Sequence, residues 1–79
     1  MAEYVIPEYV TPDLQHASFL KALGHEPVRV EGPRDRRRFV FVDVPAEDIA
    51  DYHRGTRPVA PQSLFAAYRA LKRRVFEGV

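Results

Sequence analysis

Arginines are the most concentrated group of side chains in this chain with an evident chemical capacity. Four of them lead directly into the apolar run at residues 39–42, and a second basic set lies near the C-terminus. Guanidinium groups donate paired hydrogen bonds to phosphate oxygens, so a cluster of this size suits a nucleic-acid backbone or another anion. The candidate binding residues are Arg34, Arg36, Arg37, Arg38, Arg69, Lys72 and Arg73.

Two other interpretations of these arginines stay open. Glu47, Asp48 and Asp51 follow in the sequence with the opposite charge, and they could pair with the arginines on a solvated surface. An acidic protein partner could also bind there. A basic cluster outside a known nucleic-acid-binding motif does not separate these hypotheses.

The other reactive residue types form no catalytic or metal-binding pattern. His16, His25 and His53 never show the i, i+3 or i, i+4 spacing of two ligands on one helix. Neither serine, Ser18 or Ser63, lies in a Gly-x-Ser-x-Gly turn. A chain of 79 residues also leaves little room for a substrate pocket. We therefore expect no enzyme activity, no metal site and no cofactor.

Two histidines have expected structural roles. His16 lies near the apolar face of a predicted helix, which indicates a partly buried, hydrogen-bonded imidazole. His25 follows Gly24 at the end of that helix, where it could interact with the last carbonyl groups.

A strand that is apolar on both faces must position the arginines. Phe39 and Phe41 point to one face and Val40, Val42 and Val44 to the other, because strand side chains alternate. Such a strand is normally covered on both faces, which places it at the centre of the fold. The two phenylalanines could stack on bases, but the pattern of an RNA-recognition motif is missing. We interpret them as core.

The neighbouring segments predict a hairpin and an edge strand. Residues 27–31 alternate apolar and charged, turn-forming residues follow at 32–35, and the chain returns through residues 37–44. This predicts a β-hairpin over 27–44. Pro7 interrupts the β-prone segment 3–10, which makes it an edge strand or an extended arm.

Three helices complete the predicted elements. Thr11 is suited to the N-cap and Pro12 to the first helical position, with Gly24 ending that helix. A short helix runs from Pro45 to Gly55, and a final helix spans about 62–77. In the first helix Gln15, Ser18 and Lys21 are expected to face water. The apolar stripe of the last helix comprises Leu64, Ala67, Tyr68, Leu71 and Val75.

Composition limits the class of protein. The chain has 46% hydrophobic residues and no cysteine, so its core must form without disulfides. It contains no apolar run long enough to span a membrane and begins without a secretory signal, so we expect a cytoplasmic protein. Residues 1–33 carry two basic and five acidic groups, and residues 34–79 carry ten and six. The abundance of arginine and the lack of asparagine are typical of a heat-adapted or GC-rich source.

A spread set of residues resembles an uncharacterised family of small bacterial and phage domains. The likeness covers about residues 9–77 and implies a compact α/β domain of unknown function, with no catalytic residues to carry over. The residues that carry it are Thr11-Pro-Asp-Leu14, Phe19-Leu20, Gly24-His25, Phe39-Val-Phe41, Tyr52, Gly55, Leu64, Tyr68 and Leu71-Lys72.

These observations predict an α+β fold. A small antiparallel sheet, made of the 27–44 hairpin and an N-terminal edge strand, packs with two main helices and one short helix. Residues 1–10 form the arm or edge strand, and residues 11–79 form a single compact domain. The predicted core comprises Leu14, Phe19, Leu20, Leu23, Val28, Val30, Phe39, Val40, Phe41, Val42, Ile49, Tyr52, Leu64, Tyr68, Leu71 and Val75.

The leading functional expectation is a non-catalytic interaction module that binds a protein partner or associates with its own copies. A regulatory role in a phage or mobile element follows only from the family resemblance. The alternative is nucleic-acid binding through the arginine-rich hairpin and the basic C-terminal helix. Neither hypothesis involves a membrane or a small-molecule cofactor.

Overall fold

The computed structural model describes residues 7–33 and 35–77, which form a three-stranded antiparallel sheet and three helices. The predicted α+β class, the hairpin and the N-terminal edge strand are confirmed. In chain order the elements are β1 (Glu8–Thr11), α1 (Leu14–Ala22), β2 (Arg29–Glu31), β3 (Arg38–Val42), α2 (Ala46–Arg54) and α3 (Pro61–Glu77).

The predicted central strand occupies the centre of the sheet, whose strand order is β1-β3-β2. Tyr9 of β1 lies opposite Phe41, and Val30 of β2 lies opposite Phe39. Both neighbours are antiparallel to β3. Each face of β3 therefore receives side chains from two flanking strands, which fixes the register of the sheet.

The helices build the main core on one face of this sheet. Phe39 and Phe41 join a buried cluster with Leu20 of α1 and Leu71 of α3. Helix α1 packs most extensively against α3, so five consecutive α1 residues, 16–20, are buried. Ser18 is among them, contrary to the prediction that it faces water. Its small side chain lets α3 approach, and its hydroxyl donates to the Leu14 carbonyl at 2.7 Å.

The opposite face of β3 is covered by the sheet's own side chains. Val40 is fully buried, although it lies outside the helix-side cluster, and its cross-strand neighbours are Val10 and Arg29. Arg29 donates two hydrogen bonds to the Glu8 carboxylate, both at 3.1 Å, and one to Glu31 at 3.0 Å. Because β1 and β2 flank β3, the Arg29–Glu8 pair crosses over the central strand. We call this pair the Arg29 bridge.

The start of α1 differs from the prediction. Thr11 is the last residue of β1 and pairs with Phe39. Asp13 is the N-cap instead, and its Oδ1 accepts a hydrogen bond from the Gln15 amide at 2.9 Å. The predicted ends of the first two helices are confirmed. Gly24 follows the C-cap Leu23 of α1, Gly55 is the C-cap of α2, and both glycines take positive φ angles.

Of the sixteen predicted core residues, six are buried, nine are half-buried and one is exposed. Val28 is 52% exposed. It lies just before β2, and although its backbone amide donates to the Val40 carbonyl at 2.8 Å, its side chain is not covered. The short β2 therefore contributes only Val30 to the packing around the main cluster.

No helix within residues 7–33 and 35–77 is both long and apolar enough to cross a membrane.

The turn of the hairpin depends on a glycine. Gly32 has a φ of +96°, and a Cβ at this position would lie 2.6 Å from the Arg36 carbonyl oxygen. A left-handed φ and a backbone clash therefore both oppose a side chain there. Gly24 has a similar φ of +109°, but an added Cβ there would meet no atom within 4 Å. A side chain at Gly24 therefore causes backbone strain alone, whereas a side chain at Gly32 causes both strain and a clash.

We expect Gly32→Ala to lower the free energy of unfolding by about 3 kcal/mol, and Gly24→Ala by only about 1–2 kcal/mol. The first change adds a clash to the strain that both changes share. Urea unfolding followed by circular dichroism measures the difference. Equal losses would show that the Arg36 carbonyl moves away without penalty.

Candidate functional site

Three of the predicted arginines line one depression at the end of the hairpin. Arg36, Arg37 and Arg38 border a cavity of about 710 Å³. We call it the hairpin depression. Its other walls come from the hairpin turn, the start of α1 and the end of α3. The remaining lining residues are Pro12, Leu14, Pro33, Asp35, Phe39 and Val75.

Arg37 is held differently from its two neighbours. Its Nη1 donates to the Gly32 carbonyl at 3.0 Å, which ties the side chain to the turn. Its Nε is buried and has no hydrogen-bond partner in the described part of the chain. Arg36 and Arg38 are exposed. The group thus combines one partly desolvated guanidinium, that of Arg37, with two exposed ones.

The arginines do not pair with the acids that follow them, as one interpretation held. Among the described residues, Arg36, Arg37 and Arg38 form no ion pair. Glu31 lies opposite Arg38 in the sheet, but its carboxylate binds Arg29. The positive charge of the hairpin is therefore not cancelled locally.

Asp48 and Asp51 instead bind basic groups from other segments. Asp48 is 7% exposed. It accepts hydrogen bonds from His25 Nε2 at 2.8 Å and from Arg57 Nη2 at 2.7 Å. It thereby joins the loop after α1, the first turn of α2 and the linker before α3. The His25 side chain therefore binds a carboxylate, whereas only its backbone amide bonds to the end of α1, at the Leu20 carbonyl.

Asp51 extends this network at its exposed edge. Arg54 donates to Asp51 Oδ1 at 2.7 Å, and Arg57 Nε donates to Oδ2 at 3.0 Å. The hydrogen bond from Arg54, followed by that from Arg57, lowers the pKa of Asp51. Two of the three acids that sequence reasoning assigned to the arginine cluster, Asp48 and Asp51, therefore hold α2 in place.

The other three predicted basic residues lie on the outside of α3. Arg69, Lys72 and Arg73 are all exposed, and none of them lines the hairpin depression. The Lys72 ammonium lies 5.9 Å from the centre of the Tyr68 ring, a cation–π distance. Arg34 lies outside the described residues. The seven candidates thus include two separate basic groups, on the hairpin and on α3.

Sequence reasoning missed an aromatic surface on α3. Phe65 and Phe76 are 61% and 67% exposed. Phe65 borders an apolar groove of about 420 Å³, whose walls come from all three helices and include Phe19, Tyr52 and Tyr68. We call Phe65, Phe76 and this groove the α3 aromatic face. The available signal was two phenylalanines outside the apolar stripe of an amphipathic helix.

His16 has the predicted buried and hydrogen-bonded environment. The imidazole is 2% exposed, and the Tyr9 hydroxyl lies 3.2 Å from its Nε2. The ring of Tyr52 contacts it edge-on, with centroids 4.2 Å apart, and the His53 ring lies at 5.3 Å. Burial, and then the nearby charge of His53, lower the pKa of His16. The imidazole is therefore neutral at pH 7 and can accept a hydrogen bond from Tyr9.

The described residues do not bring a metal-binding set together. Within 7–33 and 35–77, no three His, Cys, Asp or Glu side chains converge so that they could hold an ion. The two cavities show, however, that a chain of this length can form depressions of several hundred Å³, contrary to the expectation from its size. The hairpin depression is bordered by arginines, and the second cavity is an apolar groove.

Comparison with known proteins gives no identification. No protein-family model, no curated protein and no solved structure matches this chain. The resemblance to small bacterial and phage domains therefore stays a prediction, and function must be argued from the surfaces themselves.

Asp48→Asn is expected to lower the free energy of unfolding by about 2 kcal/mol, because the amide nitrogen cannot accept a hydrogen bond and one of the two donors loses its partner. Urea unfolding at pH 7 measures this loss. Glu47→Gln is the matched control, since Glu47 lies in the same turn but is exposed, and it should stay within about 0.5 kcal/mol of wild type. A loss at Glu47 as large as at Asp48 would contradict a specific role for the buried carboxylate.

The lowered pKa of His16 predicts acid sensitivity. Below about pH 6.5 the unfolded chain binds a proton that the folded chain resists, so stability should fall as the pH drops from there through the lowered pKa. His16→Phe should reduce the difference in unfolding midpoint between about pH 7.5 and about pH 5. His53→Gln should reduce the same difference by less, because it removes the neighbouring charge but leaves the larger cause of the lowered pKa, which is burial. An unchanged pH dependence in His16→Phe would refute the assignment.

Proposed function

We propose that this chain is a non-catalytic interaction module that binds a protein segment on its α3 aromatic face. The observation that carries the proposal is the 61% exposure of Phe65 beside an apolar groove. Phe76, which is 67% exposed, lies about three turns further along the same helix. Large exposed apolar side chains next to a concave surface are typical of protein-binding sites.

The energy available from the two phenylalanines limits the kind of partner. Fully burying a phenylalanine contributes about 1.5–3 kcal/mol, so the two together supply a few kcal/mol. A dissociation constant of 1 μM requires about 8 kcal/mol. The partner must therefore also fill the groove, where Phe19, Tyr52 and Tyr68 are half-buried or buried and already ordered by the core. A segment with at least one large apolar anchor meets this requirement.

The charge around the face indicates an acidic partner. Arg69, Lys72 and Arg73 are exposed on the same helix as the two phenylalanines. A two-fold pairing of identical copies would bring these cations together, because both subunits then present the same surface. An amphipathic segment that carries acidic residues beside its apolar anchors is favoured instead, in the mode of a helix bound in a groove.

The proposal also includes a cytoplasmic location and the absence of a catalytic role. A regulatory role in a phage or mobile element is the part that rests on the family resemblance, and the neighbouring genes would test it.

We expect a peptide-display selection against the whole chain to enrich acidic peptides with aromatic or aliphatic residues at helical spacing. Individual peptides should bind Phe65→Ser/Phe76→Ser at least about tenfold more weakly than wild type in a fluorescence anisotropy titration. Because electrostatics assists apolar burial here, affinity should fall only shallowly with salt.

Val28→Ser is the matched control for this experiment. Val28 is 52% exposed and lies at the start of the hairpin, so its change removes apolar surface elsewhere. It should leave peptide binding unchanged. Peptides that bind the double variant as tightly as wild type, or a selection without enrichment, would refute the proposal.

A further inference from the structure

The hairpin depression carries a net positive charge, and it has no role in the proposed binding of a protein segment at the α3 aromatic face. The two surfaces share no lining residue. Three arginines and one aspartate border the depression, and no ion pair joins them within the described residues. Glu31 is bound to Arg29, and Asp48 to His25 and Arg57, so Asp35 is the acid of the lining that offsets part of the charge.

Arg37 makes this charge unusual for an exposed surface. The Arg37 guanidinium is held by the hydrogen bond from Nη1 to the Gly32 carbonyl. Its Nε is shielded from water and has no hydrogen-bond partner among the described residues. A guanidinium that has lost part of its hydration, and that has no counter-ion, gains more from a nearby anion than a fully hydrated one does. The side chain is also already ordered, so little conformational entropy is lost on binding.

The side chains that line the depression favour phosphate groups as the anion. Its cavity of about 710 Å³ is open to Arg36 and Arg38, which are exposed and free to form paired hydrogen bonds to phosphate oxygens. Phe39 is buried at its base, so no aromatic ring of the lining is available for stacking on a base. Recognition would therefore be directed at phosphate and would not depend on base identity.

We propose that the hairpin depression binds phosphate groups, through Arg36 and Arg38 at its rim and the preordered Arg37 in its wall. The phosphate could belong to a nucleic-acid backbone or to a free phosphorylated compound, since the same guanidinium chemistry recognises both. Arg69 and Arg73 have no part in this site.

Fluorescence anisotropy with short labelled single-stranded DNA, duplex DNA and RNA tests the proposal at about 50 mM and about 150 mM NaCl. We expect a dissociation constant below about 10 μM at the lower salt and a steep loss of affinity at the higher salt. Titration with inorganic pyrophosphate in a calorimeter is the second arm. Binding of pyrophosphate without binding of any oligonucleotide would assign the site to a free phosphorylated compound.

The comparison of two double variants decides whether the site is the depression. Arg36→Gln/Arg38→Gln should weaken binding about tenfold and reduce the salt slope for duplex DNA by about two, one unit for each phosphate contact removed. Arg69→Gln/Arg73→Gln removes the same amount of charge from α3. This variant should leave both the affinity and the salt slope nearly unchanged. Arg37 is left intact, because it also holds the turn. Circular dichroism melting should show that both variants stay folded.

Equal losses in the two double variants would mean that net charge, and not this depression, attracts the anion. No binding of any oligonucleotide or of pyrophosphate at the lower salt would also overturn the proposal. Neither result bears on peptide binding by Phe65 and Phe76, so the two proposals can fail separately.

Discussion

The burial of β3 on both of its faces is the constraint on which the rest of this structure depends. Phe39, Val40 and Phe41 are all 0–1% exposed, and each contributes about 1.5–3 kcal/mol when fully buried. That is a large share of the 5–15 kcal/mol by which a typical domain is stable. The helices build their core on the Phe39 and Phe41 side. The other face depends on the flanking strands and on the Arg29 bridge.

This arrangement determines where the charges of the chain end up. The formal net charge is only +1, but the acids have positions that the fold requires. Glu8 and Glu31 hold Arg29 over the central strand, and Asp48 and Asp51 hold α2 through His25, Arg54 and Arg57. Among the described residues, no ion pair forms at Arg36, Arg37 and Arg38 of the hairpin or at Arg69 and Arg73 of α3. Two basic surfaces therefore arise in a nearly neutral protein.

The sequence predicted the features that depend on local pattern. The alternation around Val40 placed β3 correctly, and Gly24 and Gly55 marked the ends of α1 and α2. Features decided by tertiary contact were missed. Thr11 and Asp13 are both good N-caps, and only the pairing of Thr11 with Phe39 excludes the first. The partners of Asp48 come from distant segments. Phe65 and Phe76 lie outside the apolar stripe of α3 and face outward, so a pattern of buried residues does not predict their role.

Helix α3 contributes to both the apolar groove and the hairpin depression, yet it keeps these two cavities apart. Leu64 lines the apolar groove and Val75 the hairpin depression, and eleven residues of helix separate them by about 16 Å. The Debye length is about 8 Å at physiological ionic strength, so exposed charges at one surface are largely screened from the other. A small anion in the depression cannot touch the groove. The groove and the depression are therefore physically separate sites, whereas Phe76 follows Val75 directly in the sequence. Two buried residues, Ala67 and Leu71, anchor the helix that contributes to both.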